Sequence, residues 1–149
     1  MEPDHFAVLN LLHRYAELVD LGDFAGVGRL LDDAVVTVEG VPGEQRGGAT
    51  IQAVLEGWTR RYADGTPRTT HVLTNPIVEV DAEAGTASIR SKYTVFQQVD
   101  DLALQPIIAG RYHDRFARSD DGWRFVARHL YTDLTGDLSR HLLQPLPPS

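Results

Sequence analysis

A change of period at Arg68 constrains this chain more than any other feature of its sequence. Before Arg68, apolar residues recur at intervals of three and four, as in helices with one buried face; after it they alternate, as in strands. The first helical stretch, from about Pro3 to Asp20, gathers Val8, Leu9, Leu11, Leu12, Tyr15, Ala16, Leu18 and Val19 on one half of its surface, with Asn10, Arg14 and Glu17 on the other. "LGDF" breaks that helix, and Asp23 is placed to cap a second short one bearing Phe24, Val27, Leu30 and Leu31. A third helix carries Ile51, Val54, Leu55, Trp58 and Tyr62, with Thr50 suited to cap its start and "ADGTP" to stop it. Between the second and third, "AVVTVEG" has the β-branched character of a strand, and "VPGEQRGG" reads as a Pro/Gly loop that can rim a pocket.

Beyond Arg68, "TTHVLTNPIVEV", "TASIRSKYTVFQQV", "PIIAGRYHDRFAR" and "GWRFVARHLYTDL" are four long strands. "DAEAG" and "SDDG" are short and rich in turn residues, which makes their flanking strands antiparallel hairpins. "DDLALQ" is longer and is expected to form a mobile lip. Helices first and strands afterwards define an α+β domain whose helices cover one face of a curved, mainly antiparallel sheet. The tail "DLSRHLLQPLPPS" can make one amphipathic turn before its prolines end it, leaving three outcomes: a fold over a pocket, a fold over a partner subunit, or disorder.

At 149 residues one domain is expected, large enough for a core and one small-molecule cavity. The net charge of −7 comes without any Lys/Arg cluster, which argues against nucleic acid or an anionic membrane as partner. With no cysteine there is no disulfide, no thiolate catalysis and no cysteine metal site. The start, "MEPDHFAVLNLL", lacks a basic leader, and no apolar run approaches bilayer length, so the expected location is the cytoplasm.

No phosphate loop, G-x-S-x-G or H-E-x-x-H motif is present, so chemistry must come from scattered residues. Asp20 is the first of them. Its carboxylate meets the negative end of the helix dipole on the rim of the apolar face, and both circumstances disfavour its charge. Alternation puts Thr69, His71, Leu73 and Asn75 on one side of a strand. If that side faces the first helix, Asp20 can hold one ring nitrogen of His71 and leave the other free as a base near neutral pH. The competing reading has His71 bonded to a main-chain carbonyl and Asp20 capping neighbouring amides.

Tyr15 is either a core phenol bonded to the main chain or a donor that polarises a substrate oxygen. His113 alternates with Arg111 and Arg115, opposite Ile108, Tyr112 and Phe116, as in a polar pocket wall or a solvated sheet face. Arg128 can anchor an acidic or carbonyl group or pair with a surface carboxylate. Trp58 is a core residue in the simplest reading and a pocket wall in the functional one. His5, His13, His129 and His141 are expected at the surface. His71, His113 and a carboxylate lack the spacing of a metal site, so none is expected.

"YAELVDLGDF", "TTHVLTNPIVEVDAEAGTASIRSKY" and "GRYHDRFARSDDGWRFVAR" together resemble the SnoaL-like branch of the nuclear transport factor 2 superfamily, which includes polyketide cyclases and scytalone dehydratase. The resemblance implies a cone: a strongly bent sheet wrapped against three helices around a mostly apolar pocket, in a homodimer. It also implies that Asp20 and His71 match the Asp–His base of dehydratases in this group and Tyr15 the tyrosine that polarises the substrate. Bile-acid dehydratase is similar in its Tyr-x4-Asp spacing, with Arg128 near its late arginine. Scytalone dehydratase has a second histidine on the next strand, where this chain has "SKYTVF"; His113 lies one strand later.

The expected function is therefore a cofactor-independent lyase, isomerase or cyclase acting on a small hydrophobic, cyclic, oxygenated molecule. His71, oriented by Asp20, takes the proton, Tyr15 polarises an oxygen, and Asn75, His113, Arg128 and Trp58 contact substrate. The alternatives are a binding or assembly module of the same fold, and an epoxide hydrolase, whose Asp–Arg–Asp pattern is not evident here. An enzyme should enclose Tyr15, Asp20 and His71 around a cavity, whereas a scaffold can fill the cone with side chains.

Overall fold

The computed structural model describes residues 3–147. Three helices, α1 (Pro3–Asp20), α2 (Phe24–Leu30) and α3 (Gly48–Trp58), pack against one sheet made of β1 (Val35–Val38), β2 (Val41–Arg46), β3 (Thr69–Asp81), β4 (Thr86–Val99), β5 (Leu102–Ser119) and β6 (Gly122–Thr135). The spatial order is β2-β1-β6-β5-β4-β3. Every neighbouring pair is antiparallel except β1 with β6, which run parallel because the chain returns to β6 only after the long meander. Among the described residues β2 and β3 each have one strand neighbour and the sheet is open, so the expected α+β roll is what the chain forms.

The bend comes from irregularities in long strands. β5 runs for 18 residues, and register shifts fall between Ala109 and Gly110 and between Arg115 and Phe116 where it pairs with β6. Each extra residue kinks its strand and increases the local twist. On the concave side β4 presents Ala87, Ile89, Ser91, Tyr93, Val95 and Gln97 in strict alternation. Against it α1 buries Val8, Leu12, Tyr15, Ala16 and Val19. Removing each of the larger of these side chains from water contributes roughly 1.5–3 kcal/mol, which fixes α1 and therefore the position of Asp20 at its end.

The α1–α2 turn is specified tightly. Asp23 accepts a hydrogen bond from the Gly26 amide at 2.8 Å, the expected N-cap. Gly22 has φ +75°, and a Cβ there would lie 2.0 Å from the Gly65 carbonyl oxygen. Gly22→Ala is accordingly expected to lower stability by about 2 kcal/mol, combining left-handed strain with a clash that backbone must relieve. Urea unfolding of the variant measures this directly.

Three local expectations need correction, and the tail takes one defined course. "VPGEQRGG" is an exposed edge strand, β2, rather than a loop; Pro42 is tolerated because an edge residue needs no second partner. α3 begins at Gly48 behind Gly47, with no side-chain cap from Thr50, and ends at Trp58, short of Tyr62; of its apolar residues only Ile51 is fully buried. "DDLALQ" is a tight connection followed by strand, with Leu102 buried in the core, so no lip exists there. The tail is an ordered strap as far as residue 147, its last two residues lying outside the described ones: Thr59 pairs with Leu142, Leu143 N–H donates to the Trp58 carbonyl at 2.9 Å, and Arg60 N–H to the His141 carbonyl at 2.8 Å. Among the described residues no helix is long and apolar enough to cross a membrane.

Candidate active site

Asp20, at the last turn of α1, points into the first residues of β3. One carboxylate oxygen accepts from the Thr69 hydroxyl at 2.9 Å and from His71 Nδ1 at 2.6 Å; the other accepts from the His71 backbone N–H at 2.8 Å. Three donors from one strand offset both the adverse helix dipole and the loss of water around the charge. The period of two puts Thr69 and His71 on the same side of β3, so one helix-end carboxylate can gather both. An ionised carboxylate only accepts, so Nδ1 carries the proton and Nε2 keeps its lone pair. The His71 side chain is 7% exposed and that of Asp20 22%.

A second polar cluster lies deeper. Arg128 on β6 donates to both oxygens of Asp114 on β5, at 2.7 and 2.9 Å, and both side chains are fully buried. They meet because Asp114 and Arg128 are register partners on the concave face. The guanidinium also lies over the rings of Tyr15 at 4.1 Å and Tyr112 at 3.9 Å, while Tyr112 stacks on Tyr93 at 4.5 Å. Burial raises the Tyr15 and Tyr112 hydroxyls above the usual phenol range and pushes Tyr93 up to about 12, so all three are neutral donors at physiological pH. Burial works against the charge on Arg128, but Asp114 more than offsets it. Arg128 Nη1 and Ser91 Oγ are buried there without a protein partner.

The structure thus brings Asp20 and His71 together and puts Tyr15 with Arg128 in the deeper cluster. Arg128 pairs with a buried carboxylate rather than a surface one. Asp114 was missed in the sequence, although its place between Tyr112 and Phe116 on the inward alternation was a readable signal.

Asn75 is not on the His71 wall. It adopts φ +54° beside a register shift between Thr74 and Ile77, and the bulge moves the inward positions from His71 and Leu73 to Val78 and Val80. Asn75 itself is exposed. His113 lies on the convex face, opposite His129, with its ring 4.9 Å from that of Tyr131. Alternation turns it away from Tyr112 and Asp114, to the half-buried side that Arg111 shares. Trp58 ends α3, partly exposed and outside the main core cluster.

His141 departs furthest from expectation. The strap is pinned by Gln97, whose fully buried amide donates to the carbonyls of Pro67 and Arg140, each at 3.1 Å, and by the Tyr62 hydroxyl, which also donates to the Arg140 carbonyl. Gln97 is the register partner of Thr69, the residue that holds Asp20. His141 follows Arg140 directly, and its ring lies near enough to Asp20 and His71 for the charges of both to act on it. Its Nδ1 is buried and unpartnered. Burial, reinforced by the neighbouring His71 and opposed by Asp20, pushes its pKa down to about 4.

Three surface pockets lie elsewhere, and none of the three is lined by Tyr15, Asp20 or His71. One, of about 490 Å³, is formed by the strap and the end of β6 through Thr135, Leu138, Leu142, Leu143 and Leu146. Among the described residues no group of three or more His, Asp or Glu side chains is arranged to hold a metal ion.

An open, bent sheet folded over three helices, with a buried polar pair where the first helix meets the sheet, defines a cystatin-like α+β roll of the NTF2-like class. The chain belongs to the SnoaL-like domain family, whose model matches residues 3–129. It is similar to an NTF2-like protein with a cystatin-like fold from Novosphingobium aromaticivorans, at 26% identity over 87% of this chain and 81% of that one, with a TM-score of 0.70. A provisionally assigned aromatic ring hydroxylase from the same organism is 26% identical over 92% and 95% of the two chains, TM-score 0.70. A provisionally assigned scytalone dehydratase, also from that organism, shares the fold at 21% identity over 89% and 85%, TM-score 0.69. Comparison with curated proteins gives no match.

Proposed function

We propose that this protein is a cofactor-independent dehydratase, isomerase or cyclase for a small hydrophobic, cyclic, oxygenated molecule, with the Asp20–His71 pair as its base. The observation that carries this reading is the 2.6 Å contact between His71 Nδ1 and Asp20, which commits the ring to the tautomer with Nε2 free. Nε2 takes a proton alpha to a carbonyl, the C–H electrons form the enolate, and the Asp20 charge stabilises the imidazolium. In a dehydration, a β-hydroxyl then leaves and collects the same proton as water, restoring His71. Tyr15, kept protonated by burial, is the phenol suited to polarise the oxygen. Arg128 retains an unpartnered nitrogen, Nη1, whose N–H groups suit a second polar group of the ligand.

One observation favours a second reading, a non-enzymatic binding or assembly module. The interior beyond the dyad is packed with Tyr15, Tyr93, Tyr112 and Arg128, as a scaffold would be. Exchange of the α-protons of β-tetralone in heavy water, followed by proton NMR, separates the two. The enzymatic reading predicts saturable exchange about a hundredfold above that of free imidazole at equal concentration. Saturable binding of β-tetralone with no accelerated exchange supports the module instead.

A further inference from the structure

We propose that His141 is a third member of the active site, whose ring donates a hydrogen bond to the ligand oxygen beside His71. The inference rests on the enzymatic reading above and deepens it, because it adds a donor that the sequence placed at the surface. Three connected contacts fix its position. Thr69 holds Asp20 at 2.9 Å, Thr69 is in register with Gln97, and Gln97 holds the Arg140 carbonyl at 3.1 Å. The strap on the other side is tied down by the Thr59–Leu142 bridge and by Arg60 N–H to the His141 carbonyl at 2.8 Å.

The main chain of His141 is already satisfied, its N–H donating to the Leu138 carbonyl at 3.0 Å. The ring is what remains open, with Nδ1 sealed from water and bonded to nothing. A buried ring nitrogen without a partner costs free energy unless a ligand supplies one. The charged or titratable groups around it are Asp20 from α1 and His71 from β3; Tyr62, from the α3–β3 connection, spends its hydroxyl on the Arg140 carbonyl. The Arg140 side chain turns away to Asp137 and Asp101.

Neutrality suits the task. With the pKa at about 4, the ring is uncharged at physiological pH and does not repel the imidazolium that forms on His71. Its N–H can then meet the enolate oxygen as the C–H electrons arrive there, which favours the transition state over the ground state. Tyr15, drawn toward Arg128, supplies a donor from the deeper side. The substrate class this selects is a cyclic ketone or its enol tautomer, with the oxygen next to the carbon that loses its proton.

Side-chain histidine NMR on the full-length protein tests the contact, with β-naphthol as a stable mimic of the β-tetralone enol. His141 should stay neutral down to about pH 4, and saturating β-naphthol should move its ring signals together with those of His71. In the β-tetralone assay, His141→Phe is expected to lower kcat by roughly ten- to a hundredfold with KM changed less than about threefold, and His141→Gln to recover part of the loss. Unmoved His141 signals at saturation, absence of β-naphthol binding, or wild-type kcat in a folded His141→Phe each overturns the proposal. If the wild-type protein gives no exchange yet β-naphthol moves His141, the catalytic reading fails while the ligand contact stands. The two failures are therefore distinguishable.

Discussion

Arg128→Met is expected to lower stability by about 3–5 kcal/mol, and Asp114→Leu by a similar amount, because either change leaves a fully buried charge without its partner. In a domain of this length that corresponds to a fall in Tm of about 10 °C. The double variant should recover most of the loss, since two apolar side chains of similar bulk restore packing and leave no charge to solvate. A rescue of this kind, read in urea unfolding of the four proteins, separates a desolvation penalty from a packing defect. If the two losses simply add, the pair is not acting as a unit and the deeper cluster has been misread. Affinity gives the second readout. Arg128 Nη1 is the one guanidinium nitrogen of the pair left unpartnered, so the double variant, though stable, should bind an oxygenated ligand more weakly.

The same pair shows where the sequence stops being legible. Arg128 and Asp114 lie 14 positions apart on the two arms of one hairpin and neither belongs to a motif, yet both sit on the inward parity of their strands. Parity could be read; the β5–β6 register that makes them opposite could not, because it depends on the shift between Arg115 and Phe116. A bulge also explains Asn75. Counting by twos from His71 is sound until the backbone takes φ +54°, and beyond that point every inward position is displaced by one. By contrast, the change of period at Arg68, the α1 face and the Asp23 cap are local, and local physics is what a sequence displays directly. His141 was misplaced for the opposite reason. A tail rich in proline and polar residues has no long periodicity, and its position is set by Gln97, Thr59 and Tyr62, which lie 43–83 positions before the tail residues they contact.

Asp20→Asn is expected to reduce the exchange of β-tetralone protons by about two to four orders of magnitude while leaving a folded protein. Asparagine has nearly the same shape as aspartate, but its single carbonyl oxygen must now serve the Thr69 hydroxyl, the His71 amide and the His71 ring, which together use both oxygens of the carboxylate. The amide NH2 faces the ring in place of an acceptor, and Nδ1 can accommodate it only by becoming the acceptor itself. The proton then sits on Nε2, and the base is occupied. His71→Gln should fall to the same level, because each change removes the same free lone pair, and the double variant should be no slower than either single one. Additive losses would assign the two residues to separate tasks. Near-native exchange in folded Asp20→Asn would remove the carboxylate from the chemistry, leaving its three hydrogen bonds as the device that fastens the end of α1 to β3. The stability of that variant decides between these accounts independently: a fastening role predicts a loss of about 1–3 kcal/mol with activity kept, whereas a catalytic role predicts that activity is lost whatever the stability.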